Sequence, residues 1–210
     1  MLVSIFDPTL LTVTDAQTQC SFFGGDQAWY TEEWWQQAGC GPTCAANLTA
    51  YLALTRPHLR ALYSGSGMDR DGFTRHMEEI YPYVQPGPMG LNRVERFTEG
   101  VTAFAADRGI ALRSHVFAVA GNRDRNRPPV SALADFVREG LAADCPIGFL
   151  NLSHGRVKNL QSWHWVSLAS ADIEADALTA YASDEGVRRA FDLKLWYLST
   201  RMRGGLVYFG

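Results

Sequence analysis

The stretch Trp34-Trp35-Gln36-Gln37-Ala38-Gly39-Cys40-Gly41-Pro42-Thr43-Cys44-Ala45-Ala46-Asn47-Leu48 puts a cysteine where a glycine-rich turn runs into a helix. Gly39 and Gly41 let the backbone turn sharply and admit another molecule close to the cysteine. Pro42 suits a first helical turn, where its missing N–H would have no intrahelical partner. Cys44, Leu48, Tyr51 and Leu52 then share the inward face, and Pro57 stops the helix near Thr55. Cys40 therefore lies at or just before a helix N-terminus. Free N–H groups and the helix dipole there favour a thiolate, and the same N–H groups can stabilise an oxyanion forming on an attacked carbonyl.

Composition narrows the setting for such a thiol. The chain is 210 residues long, 47% hydrophobic and 12% aromatic, which suits a single domain over 1–210 with its own core. A formal net charge of −3 argues against a nucleic-acid partner, because counterion release needs a basic face. Arg123, Arg125 and Arg127, interleaved with Asn and Asp ahead of Pro128-Pro129, read as a solvated loop. The N-terminus lacks the basic and long apolar regions of a signal peptide, and no stretch is long enough to span a bilayer, so no membrane partner is expected. Four cysteines form no disulfide framework. A reduced, cytoplasmic protein follows, and no cofactor is implied. Cys40 and Cys44 lack the two-residue gap and the second pair of a zinc knuckle, so no metal site is expected.

Along the chain, 1–22 reads as an arm or edge strand, and Gly24-Gly25-Asp26 as a turn. The aromatics Trp29, Tyr30, Trp34 and Trp35 cap the central helix and offer a pocket wall. Residues 56–90, with a possible helix near 72–80, read as a rim insertion. Val94, Phe97, Val101 and Phe104 then mark a helix stopped by Gly109, followed by a strand over 110–119. Ser131 is expected to cap a helix bearing Leu133, Phe136, Val137 and Leu141. Strands follow over 146–152, 163–169 and 178–182, with a turn at Ser183-Asp184-Glu185-Gly186 and a last strand over 205–209. Helices precede sheet, so the class is α+β.

A nucleophilic cysteine needs a base within hydrogen-bond reach and a group that orients the base. His164 begins one strand and Asp184 follows the next. If those strands pair, the two side chains can meet at one end of the sheet. His154, in a Ser-His-Gly loop, is the competing base. Cys44 reads as a small core residue, and Cys20 and Cys145 as buried or partly buried apolar ones.

Gly39-Cys40-Gly41-Pro42-Thr43, Trp163-His164-Trp165-Val166-Ser167-Leu168 and Ala182-Ser183-Asp184-Glu185-Gly186 together resemble papain-like cysteine peptidases of the C39 type. The resemblance implies a papain-like fold, with a central helix packed on an antiparallel β-sheet. It makes Cys40 the nucleophile, His164 the base and Asp184 the orienter, acting on a peptide or amide substrate. It also implies an upstream glutamine as oxyanion donor. Trp34 occupies the usual position, six before the cysteine, which leaves Gln27 as the preferred candidate and Gln36 and Gln37 as nearer alternatives. Trp29, Trp34 and Trp163 are candidate substrate contacts. Two other activities suit the same residues: acyl transfer to an amine or thiol, and peptide binding without cleavage.

Overall fold

The computed structural model describes residues 1–121 and 127–210. In chain order the elements are β1 (Leu2–Ser4), β2 (Thr12–Thr14), β3 (Ser21–Phe23), α1 (Glu33–Ala38), α2 (Cys40–Thr55), α3 (Arg70–Ile80) and α4 (Val94–Ala106). They continue with β4 (Ser114–Val119), α5 (Val130–Ala142), β5 (Ile147–Asn151), β6 (His164–Ile173), β7 (Leu178–Asp184), β8 (Val187–Asp192), α6 (Leu193–Ser199) and β9 (Gly204–Phe209). The main sheet runs β4-β9-β5-β6-β7-β8, with β1 also paired to β6, and every pairing in it is antiparallel. The class is thus mixed helix and antiparallel sheet.

Helices cover both faces of this sheet. A Cβ built on Gly148 of β5 would lie 3.3 Å from Cys44 Sγ, whereas the adjacent residue, Ile147, lies against Gly140 of α5. Successive strand residues point to opposite faces, so α2 covers one side and α5 the other. Burial agrees, since nine of the ten residues of β6 are buried, as expected of a strand covered on both faces. The helix after Cys40 is more enclosed than its one-sided pattern predicts: every residue from Gly41 to Ala53 is buried. Its polar members keep partners, Thr49 Oγ1 donating to the Ala45 carbonyl at 2.8 Å.

Several expected boundaries shift. The fourth strand starts at Ser114 and not at 110. Ser131 lies inside α5, whose N-cap position is Pro129. Residues Ser183 and Asp184 end β7, and only Glu185 and Gly186 form the turn into β8, a strand the sequence reading did not anticipate. Both turn residues have positive φ, 50° and 72°, as a two-residue hairpin with right-handed twist demands. The segment 56–90 contributes to the core through Leu59, Leu62, Phe73, Met77 and Ile80, while Met89 stays exposed. Cys20 is exposed, against expectation, and Cys145 is buried.

Arg123 and Arg125 lie outside the described residues. Arg127 is half-buried instead of solvated, donating to the carbonyls of Tyr197 at 2.6 Å and Ala120 at 3.1 Å. No helix among the described residues is long and apolar enough to cross a membrane.

Candidate active site

Cys40 is the first residue of α2, and Gly39 is the hinge between α1 and α2. Gly39 has φ −81°, so room, not left-handed backbone, is what requires glycine: a Cβ there would lie 2.3 Å from the Trp35 carbonyl oxygen. Thr43 N–H donates to the Gly39 carbonyl at 2.9 Å and Pro42 has no N–H. The open end of the helix is therefore represented by the amides of Cys40 and Gly41.

The sheet register brings the imidazole to this end. β6 and β7 pair antiparallel, with Ser167 opposite Ser183, so the start of one strand adjoins the end of the other. His164 Nε2 lies 2.8 Å from Asp184 Oδ1, with both side chains nearly sealed from solvent. The remaining ring nitrogen, Nδ1, is left for the thiol side. Burial by itself would favour the neutral ring, but the Asp184 carboxylate and the neighbouring Cys40 side chain outweigh it and raise the His164 pKa well above its ordinary value. Such an environment favours an imidazolium, and a neighbouring cation favours the thiolate that attacks carbonyl carbon.

Gln27, Cys40, Thr43, Asn47, His164 and Glu185 line one pocket. Gln27 follows Asp26, whose side chain accepts the Ala28 N–H and caps a 3-10 turn over Gln27–Trp29. Its Oε1 is buried with no hydrogen-bond partner. The turn is bolted to the hairpin beyond Asp184: Phe23 N–H donates to the Gly186 carbonyl at 2.7 Å and Gly186 N–H to the Gly25 carbonyl at 3.1 Å. Gln36 is placed differently. It is exposed, outside this pocket, and its amide donates to the Tyr30 carbonyl at 2.6 Å. Gln37 is exposed and donates to Glu33.

Cys40 also floors a second, open groove lined by Trp34, Met89, Gly90 and Trp163. Trp34 and Trp163 are 46% and 43% exposed. Trp163 is held at φ 59°, a left-handed conformation that strains a bulky side chain. Trp29 is not in this group; it is buried between Phe22 and Phe73 with Arg70 over its ring. His154 is not among the residues lining the Cys40 pocket, and its N–H donates to Ser162 Oγ at 3.0 Å.

Two residues escaped the sequence reading as parts of the site. Arg189 Nε contacts Asp184 Oδ2 at 3.0 Å. Asn47 Nδ2 donates to Ser167 and Ser183 Oγ, both at 3.2 Å, tying α2 to β6 and β7. A two-residue hairpin at Glu185-Gly186 would have put Arg189 on the face of Asp184; Asn47 left no comparable signal. Cys44 is a contrast to Cys40. Burial pushes its thiol up to about 12, and it takes a hydrogen bond from Ser167 at 3.3 Å. Among the described residues no cluster of three or more His, Cys, Asp or Glu could hold a metal ion.

No family model and no curated protein matches this chain. Among solved structures it is similar to the Pseudomonas avirulence protein AvrPphB at 15% identity, covering 80% of this chain and 90% of that one, with a TM-score of 0.37.

Proposed function

We propose that the chain is a papain-like thiol hydrolase of the C39-like group, cleaving a peptide or related amide through an acyl-thioester on Cys40. One observation carries this reading: His164 stands between a helix-opening thiol and a buried carboxylate, 2.8 Å from Asp184 and raised in pKa by both neighbours. Cys40 as thiolate attacks the scissile carbonyl. The protonated His164 gives its proton to the leaving amine, and the neutral ring then takes one from the water that attacks the thioester. Asp184 holds the ring in the tautomer and orientation that both transfers need. The Cys40 amide and Gln27 are the proposed donors to the oxyanion. The groove beside Cys40, walled by Trp34, Met89 and Trp163, supports an apolar substrate side chain next to the scissile bond.

The test is incubation with a proteome-derived peptide library, new termini being read by mass spectrometry, beside Cys40→Ala. Cleavage by the parent that vanishes in the variant supports the reading. Cleavage that persists in Cys40→Ala overturns it.

A further inference from the structure

Asp184 is the most enclosed charged group of the site, its side chain only 5% exposed, and each of its oxygens has its own partner. Oδ1 faces His164 Nε2 at 2.8 Å, and Oδ2 faces Arg189 Nε at 3.0 Å. The second contact is built by the hairpin. Asp184 opposes Val187 and Ala182 opposes Arg189, so Arg189 lies diagonally across from Asp184 on the same face of β7 and β8. Arg188, one residue earlier, takes the other face, where it stacks over Tyr181 and Phe23. Glu185, in the turn, lines the same pocket as Cys40 and His164.

We propose that Arg189 is a positioning residue of this site, clamping Asp184 so that the carboxylate presents Oδ1 to His164. The proposal rests on the thiol-hydrolase reading. A carboxylate can turn about its Cβ–Cγ bond, and one held by a single histidine would be free to turn with the ring. A guanidinium 3.0 Å from the second oxygen opposes that turning, and its rigid, planar cation keeps its place against the carboxylate. Because Arg189 is 43% exposed, its charge is screened by solvent. Its effect on the site is therefore geometric before it is electrostatic.

The sign of a single measurement separates these two effects. Loss of a mere counter-charge would leave Asp184 more negative toward His164 and hold the imidazolium more firmly, so Cys40 would ionise at the same pH or lower. Loss of a clamp lets the carboxylate leave the ring, weakens the imidazolium and makes the thiol ionise later. The measurement is the rate of iodoacetamide labelling at Cys40 against pH, read by peptide mass spectrometry in the parent, Arg189→Gln, Arg189→Lys and His164→Ala. Urea unfolding midpoints accompany each, so that only folded variants are compared.

We expect rapid labelling of the parent at neutral pH, its loss in His164→Ala, and a labelling profile moved up by about one pH unit in Arg189→Gln. Arg189→Lys, which keeps a donor and a charge, should recover part of that shift. An inflection unmoved or lowered in both folded Arg189 variants overturns the clamp while leaving the thiol-hydrolase reading intact. A parent that labels like an ordinary thiol overturns that reading itself, and the clamp with it.

Discussion

Asn47 Oδ1 accepts the Gly25 N–H at 2.9 Å, while its Nδ2 reaches Ser167 and Ser183. One buried amide on the helix of Cys40 thereby joins the segment bearing Gln27 to the strands bearing His164 and Asp184. Asn47→Ala should leave the Gly25 N–H buried without a partner and destabilise the fold by about 1–3 kcal/mol. Urea denaturation measures that loss. Peptide turnover should fall by more than the unfolded fraction accounts for, because the Gln27 segment also loses its anchor.

Gln27 and Gln36 make opposite predictions. Gln27→Ala should lower turnover about 10²–10³-fold, the usual result of losing one oxyanion donor, with little change in iodoacetamide labelling of Cys40, since alkylation forms no oxyanion. Gln36→Ala should leave turnover near the parent value, because its amide is already occupied by the Tyr30 carbonyl. Equal losses in the two variants would remove Gln27 from the proposed mechanism.

Trp163 separates stability from binding. Its left-handed backbone at φ 59° suits glycine better than tryptophan, so Trp163→Gly should fold at least as stably as the parent by urea midpoint. The same change removes one wall of the groove beside Cys40. Apolar peptides should then protect Cys40 from iodoacetamide less well, and cleaved peptides should show a raised KM.

His76 predicts an acid-sensitive core away from the site. It is buried among Tyr63, Phe73 and Phe104, with Nε2 2.9 Å from Thr49 Oγ1, and burial followed by the Arg108 charge lowers its pKa to about 3. Above the ordinary histidine value of 6.5 the ring is neutral in both folded and unfolded chains, so stability is unaffected. As pH falls from 6.5 toward 3, only the unfolded chain takes up the proton, and stability drops by up to about 1.4 kcal/mol per pH unit from this group. Urea midpoints should fall more steeply over this window in the parent than in His76→Phe. Parallel slopes would mean that the ring is not held neutral.

Much of the architecture is readable from local chemistry. Helix α2 runs from Cys40 to Thr55 as its proline and glycine signals indicate, and Gly109 sits just past α4 with φ 70°. The strand 147–151 lies within the apolar run 146–152. What escaped depended on partners distant in sequence. β8 is exposed at four of its first five positions and carries two arginines, so it has almost no apolar pattern; it is a strand because β7 supplies its hydrogen bonds. Within 56–90 the sequence carries few clear periods, and the burial of Leu59, Leu62, Phe73, Met77 and Ile80 is set by the elements packed against them.

The sequence by itself determined the chemistry on offer: a cysteine opening a helix, a histidine at a strand's beginning and an aspartate at a strand's end. It also determined the local geometry of each, because turns, caps and helix starts are written in neighbouring residues. Tertiary structure alone decided which groups meet. The pairing of β6 with β7 carries His164 to Asp184, the hairpin turns Arg189 onto the same carboxylate, and Asn47 draws the Gln27 segment toward all three. These contacts join residues 5, 20 and 22 apart in the chain, and strand register is set by burial over a whole sheet face, which no short stretch of sequence contains.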